Sequence, residues 1–222
     1  MGRFIVIDGL DASGKETQTE LLRAFLETAG KRVRVISFPQ YDSESSAFVR
    51  MYLSGKLGMH PEDTNAYAAS SFFAADRYIS YRLDWKSDID DPETVVIANR
   101  YTTANAVHQL AKLPREEWDG FLSWLWDYEF GKLGIPAPDD VIYLEMLPEI
   151  SLRLLKSRTD ATGRAADIHE ADRHFIENSY KAAMYASDKL GWTRIVCYRD
   201  GELLSRGEIH GMITDRLGFA GL

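Results

Sequence analysis

The 222-residue chain has one cysteine, Cys197. That excludes an intramolecular disulfide framework and fits a reducing compartment. It also lacks a basic excess. Lys plus Arg is 26 against 34 for Asp plus Glu, a formal net charge of −8. A duplex nucleic acid partner is therefore disfavoured, because such partners call for a net basic face. A small phosphorylated ligand is not, since it needs only a local cluster of donors. The apolar stretch at the start, Phe4-Ile-Val-Ile7, is too short for a signal peptide or a membrane span. Residue 6 is Val where N-myristoylation prefers Ser or Thr. No repeat or low-complexity linker stands out, and the five histidines have no metal-ligand spacing. These absences lead to the expectation of a cytoplasmic protein with neither a membrane nor a nucleic acid partner.

What is present is an alternation of apolar strands and helical stretches. Residues 3–8 form a continuous apolar run of the kind buried on both faces of a parallel sheet. Leu21, Leu22, Phe25 and Leu26 follow at helical spacing, and Gly30 suits the position just past the helix end. Residues 32–37, 95–98, 141–144 and 194–198 supply four more strand candidates. Helical stretches are expected over roughly 64–85, 103–130, 148–158, 170–190 and 203–217. Strands alternating with helices predict an α/β layered fold. Asp84 to Glu93, with five acids against one lysine, reads as a solvated connection. Residues 159–167 read as a mobile flap.

The most specific signal is Gly9-Leu10-Asp11-Ala12-Ser13-Gly14-Lys15, directly after the first strand and opening the first helix. Glycines at that spacing let backbone N–H groups converge, the helix N-terminus adds partial positive charge, and Lys15 brings a mobile ammonium. Together they suit the triphosphate of ATP. Glu16 stands where such loops carry the Ser or Thr that ligates Mg²⁺, and Thr17 comes next. A carboxylate is still a hard oxygen ligand for that ion. The plainer reading is an ordinary strand-to-helix turn.

From this loop onward, motifs in order along nearly the whole chain resemble the thymidylate kinase family. They are Ile7 to Gln18, Phe38-Pro39-Gln40-Tyr41, Phe72 to Arg77, Asn99-Arg100-Tyr101, Gly134 to Asp139, and Arg158 to Glu170 followed by Tyr180. The resemblance implies transfer of a phosphoryl group from ATP to dTMP, giving dTDP and ADP, with Mg²⁺ and in a homodimer. It implies a single P-loop kinase domain over 1–222, a three-layer sandwich with strand order 2-3-1-4-5, and a lid at about 158–170. It places Asp11 near the acceptor's sugar 3′-hydroxyl and Gln109 near its base. It also hands the catalytic cation to the lid, at Arg158 or Arg164 with Arg153 behind, because position 12 is Ala. Alternatives on the same residues are a kinase for another deoxynucleotide or nucleoside, and a nucleotide-binding homologue with little catalysis.

The residues fit this chemistry on their own terms. Phosphoryl transfer asks for positioning and charge neutralisation. Arg77 and Arg100 are candidate cations for an acceptor monophosphate. Phe73, one helical turn before Arg77, offers a stacking face for a base. Arg100 lies just past a strand end, where open sheets bind ligands. Phe38, Pro39 and Tyr101 complete the expected acceptor site, and Tyr180 is a candidate for packing on the sugar. Core packing for Phe73, a surface ion pair for Arg77, a turn role for Asp11, a solvated Gln109 and a packed Tyr180 are the plainer readings. His169 reads as structural. Two departures touch the metal: Glu16 adds a carboxylate, while Asn99 replaces the family's Asp. Both are expected near Mg²⁺, and their charges offset. Dimer faces are expected on the helix with Phe72, Tyr78 and Tyr81, or on the one with Trp118, Phe121, Leu122 and Trp126.

Overall fold

The β-branched segment Arg3–Gly9 forms β1, and every residue from Phe4 to Gly9 is buried. Such a strand is stable only with a layer on each face. In the computed structural model, which describes residues 1–162, 167–170 and 172–220, it lies at the centre of a sheet. The chain runs from β1 into α1 (Lys15–Thr28), β2 (Arg32–Ser37), α2 (Ala47–Leu53), α3 (Ala66–Ser80), α4 (Lys86–Asp90) and β3 (Thr94–Asn99). It continues through α5 (Thr102–His108), α6 (Trp118–Trp126), β4 (Asp140–Glu145), α7 (Pro148–Thr162), α8 (Arg173–Leu190) and β5 (Thr193–Val196). A two-stranded antiparallel hairpin, β6 (Tyr198–Arg199) and β7 (Glu202–Leu203), precedes α9 (Arg206–Arg216).

The five-stranded sheet is parallel, in the order β2-β3-β1-β4-β5. This is the order expected from the resemblance. On one face Ile5, Ile7, Ile97 and Ile142 pack with Leu22, Leu26, Ile209 and Ile213 from α1 and α9. On the other, Phe4, Val6, Val96 and Ala98 pack with Trp85, Ile89 and Tyr101. The carboxyl ends of β1 and β3 release the loop at residue 9 and the Asn99–Tyr101 segment side by side, with Ile7 level with Asn99.

Two expectations about helices need correcting. The stretch 103–130 is not continuous. Leu113 precedes Pro114, whose ring disfavours helical backbone in the residue before it, and Leu113 is extended at φ −100°, ψ 149°. The segment Asp84–Glu93 is solvated on its polar side, as expected, but it is helical through Asp90 and buries an apolar side. A wide π-turn at Tyr81–Trp85 carries α3 into α4. Three of the segment's five acids pair with β2, Asp84 and Asp88 with Arg34 at 2.5 and 3.4 Å and Asp91 with Arg32 at 2.9 Å, while Asp90 pairs with Lys86, Glu93 is exposed, and Trp85 and Ile89 are buried. The proposed dimer face at Trp118, Phe121 and Leu122 is also core, and only Trp126 of that set is exposed.

Candidate active site

The loop after β1 takes the shape its glycines allow. Gly14 has φ +86°, left-handed backbone that disfavours a side chain. Gly9 has no room for one, because a Cβ there would meet the Leu144 carbonyl oxygen at 2.8 Å and Ser13 Oγ at 2.5 Å. Asp8 Oδ1 accepts from the Gly9 N–H at 2.7 Å, and its Oδ2 accepts from Thr103 Oγ1 at 2.5 Å. That ties the start of the loop to α5. Lys15 Nζ donates to the Gly9 and Leu10 carbonyls at 3.0 and 2.7 Å. Burial, and then the nearby Arg100 charge, push its pKa down to about 7. Ser13 Oγ is buried without a partner.

This loop borders an open trough of about 1090 Å³ shared with Glu16, Thr17, Asn99, Arg158 and Glu170. A second, narrower cavity of about 460 Å³ is walled by Phe73, Arg77, Asn105, His108, Gln109 and His169. Asp11, Phe38, Pro39, Arg100 and Asp167 line both. At this junction Arg100 pairs with Asp11. Burial alone would raise the Asp11 carboxyl, but Arg100 and Lys15 outweigh it and hold the group well below the usual carboxylate range.

The sequence candidates divide by position. Gly14, Lys15, Glu16, Thr17, Ala12 and Asn99 border the trough, and the Asn99 Oδ1 is buried without a partner. Phe73, Arg77, Tyr101 and Gln109 line the narrower cavity. Arg77 is not the free cation anticipated for a phosphate, nor a surface pair. It is 1% exposed and carries a two-pronged bond to Glu129, at 2.7 Å from Nε and 2.6 Å from Nη2. Gln109 is buried, not solvated, and beside the Tyr52 hydroxyl its amide has no hydrogen bond of ordinary geometry. Tyr180 lies away from both cavities. It packs beside Leu10, Tyr143 and Leu155 and donates to Glu145 at 3.2 Å. Arg158, on α7, borders the trough and pairs with Glu170. Arg164 lies outside the described residues.

Several site residues escaped the sequence reading. Asp76 accepts from the Gln40 N–H at 2.9 Å and Ser45 Oγ at 2.5 Å, fixing the Phe38–Pro39 loop to α3. Asn105 sits one helical turn before Gln109, a spacing that was available as a signal. His169 stacks on His108 with ring centres 5.3 Å apart and bonds Tyr52 at 2.7 Å. Burial pushes the pKa of His108 down to about 4 and that of Asp167 up to about 6. Among the described residues no group of three or more His, Cys, Asp or Glu could hold a metal ion. The trough does offer hard oxygens at Glu16, Thr17 and the orphaned Asn99 Oδ1.

A parallel sheet whose first strand feeds a glycine loop and a helix, with a second cavity meeting that loop at an arginine, defines a P-loop kinase of small acceptors. The comparisons refine the class. The thymidylate kinase family model matches residues 7–200. A thymidylate kinase of Mycobacterium tuberculosis is 29% identical over 185 residues, 82% of this chain and 84% of that protein. One from Bifidobacterium longum is 30% identical, covering 75% of this chain and 77% of that one. A solved thymidylate kinase of Candida albicans has a TM-score of 0.69 at 19% identity, across 98% of this chain and 91% of that one. The chain belongs to the thymidylate kinase family, the enzymes that phosphorylate dTMP.

Proposed function

We propose that the two cavities divide the reaction between them, with ATP as the phosphoryl donor. The trough takes the triphosphate on the loop amides and Lys15. The narrower cavity takes the dTMP base against Phe73 and its polar wall. The acceptor phosphate lies at the junction, on Arg100. The observation that carries this reading is the sharing of Asp11, Arg100 and Asp167 by both cavities. A donor and an acceptor bound there meet end to end.

In that arrangement an oxygen of the dTMP phosphate attacks the γ-phosphorus. The new P–O bond forms as the bond to the β–γ bridging oxygen breaks, and ADP leaves with that electron pair. Arg100 and Arg158 offset charge on the two phosphoryl groups, since such transfers depend on positioning and charge neutralisation. Asp11 holds Arg100 in place before the acceptor arrives and accepts a hydrogen bond from its sugar. Glu16, Thr17 and Asn99 offer the hard oxygens that would hold Mg²⁺, which would supply positive charge to the triphosphate there. The lid spans about 158–170 within a single domain over 1–222, and Arg164 is a second candidate cation in it.

A homodimer is proposed on exposed apolar side chains, of which Leu83 is 82% and Phe48 58% exposed. A cytoplasmic location is proposed as well. Among the described residues no helix is long and apolar enough to cross a membrane. An ADP-release assay with dTMP, dUMP, dCMP and thymidine side by side tests the assignment. Turnover highest with dTMP supports it. Highest turnover with thymidine, or ATP binding with no turnover on any of the four, overturns it.

A further inference from the structure

The segment Asp167–Glu170, between α7 and α8, brings two acids to the site. Asp167 lines both cavities, while Glu170 borders the trough and pairs with Arg158. The segment is a turn closed on itself: Asp167 Oδ1 accepts from the N–H groups of His169 at 2.9 Å and Glu170 at 3.0 Å. Ordering a segment costs backbone entropy, so a turn this short needs outside contacts to stay in place. Ile168 and His169 make them. Ile168 packs among Val49, Tyr52, Leu53 and Ala69 of α2 and α3, and its N–H meets the Leu53 carbonyl at 3.4 Å. His169 lies against the rings of His108 and Phe175, with Nε2 2.7 Å from the Tyr52 hydroxyl.

The Tyr52 hydroxyl is held from its other side. Lys112, in the turn after α5, donates from Nζ to that hydroxyl at 2.7 Å and to the Thr64 carbonyl at 3.0 Å. The phenol oxygen thus accepts from Lys112 and offers its proton to His169. Burial holds the His169 pKa well below its ordinary value, so the ring is neutral and one nitrogen can accept. Neither Tyr52 nor Lys112 lines either cavity. Apolar side chains at both positions would fill the space with no polar group to satisfy, so packing alone does not call for this pair. What the pair adds is a fixed place for the turn, and with it for Glu170 and the long Arg158 side chain that Glu170 pairs with.

We propose that Tyr52 is a positioning residue for phosphoryl transfer, holding His169 so that the Asp167–Glu170 turn keeps Arg158 on the transferring phosphoryl group. Tyr52 meets no substrate atom and acts through His169, Glu170 and Arg158 in turn. This inference rests on the placement of Arg158 at the reacting phosphates.

The test uses the full chain as wild type, Tyr52→Phe, Lys112→Met, Arg158→Ala, and each of the first two combined with Arg158→Ala. It measures kcat, the KM values for ATP and dTMP, thermal unfolding, and hydrogen exchange across residues 167–170. Phenylalanine keeps the ring against Ile168 and removes only the hydroxyl. Tyr52→Phe should lower kcat by about tenfold, because small displacements at a reacting group cost rate steeply. Both KM values should stay within about twofold of wild type, and exchange at Ile168 to Glu170 should quicken. Lys112→Met should lower kcat in the same direction by a smaller factor. With Arg158 already replaced, Tyr52→Phe should cost kcat less than about twofold, as expected of residues acting through one another. A Tyr52→Phe kcat within about twofold of wild type, or a tenfold loss that persists beside Arg158→Ala, would overturn the proposal. If Tyr52→Phe does not fold, Lys112→Met carries the same comparison with and without Arg158. Failure of both to fold would make the pair purely structural and overturn the proposal too. An Arg158→Ala enzyme with wild-type kcat would instead overturn the placement of Arg158, and this inference with it.

Discussion

Gly9→Ala probes the loop with a single methyl group. The added Cβ would lie 2.5 Å from Ser13 Oγ, 2.8 Å from the Leu144 carbonyl oxygen and 3.1 Å from Leu144 Cβ. Ser13 Oγ can rotate away. The Leu144 carbonyl cannot, because it belongs to β4 in register with Gly9 inside the sheet. The loop must therefore move off β4 by several tenths of an ångström. Overpacking of this kind costs about 1–3 kcal/mol, or roughly 2–12 °C in Tm for a chain of this size. The displaced segment carries the amides assigned to the triphosphate, and misplacement near 1 Å costs about 100-fold in rate. The expected result is a kcat/KM for ATP lower by roughly 10- to 100-fold, with a smaller change in the KM for dTMP. Thermal unfolding and steady-state kinetics measure both. A variant with wild-type Tm and wild-type kcat/KM for ATP would refute the assignment of close approach at Gly9.

Three further outcomes follow from charge. Lys15 has a pKa near 7 in the free chain, so it is mostly neutral at pH 8 and becomes charged beside a triphosphate. Binding of an ATP analogue at pH 8 should take up close to one proton, and that uptake should fade by pH 6. Calorimetry in buffers of different ionisation heat reads it, and buffer-independent heats at pH 8 would contradict it. The folded pKa of Asp167, raised to about 6 by burial, lies above its unfolded value. Its contribution to stability is therefore full below about pH 4 and is lost as pH rises through 6. Asp167→Asn should gain about 1–2 kcal/mol at pH 8 and nothing at pH 4; no gain in Tm at pH 8 would count against it. Glu16→Ser should weaken Mg²⁺-dependent turnover and Asn99→Asp should restore it in the double variant. Independent effects of the two changes would remove the idea that they share one ion.

The parts of this protein legible in its sequence are those set by neighbours in the chain. The strand–glycine loop–helix at 3–28 and the apolar runs of the parallel sheet are local signals, and both appear where they were expected. Arg34 shows why Asp84–Glu93 was read only in part: its ion pairs with Asp84 and Asp88 cross from β2, and no local pattern announces them. The break at Leu113–Pro114 was legible and overlooked. Glu129 lies 52 residues from Arg77, so its acidity within an aromatic stretch was the only hint. Tyr180 is a helix residue whose direction is set by packing against Leu10 and Glu145, which sequence spacing alone does not fix.

The central claim is that donor and acceptor meet at Arg100. A crystal structure with dTMP and a non-hydrolysable ATP analogue tests it most directly. The account predicts the analogue's phosphates on the amides of residues 9–15 and the Lys15 ammonium, with the dTMP phosphate on Arg100 and its base between Phe73 and Asn105. A dTMP phosphate bound elsewhere, or loop N–H groups turned away from the analogue, would contradict it.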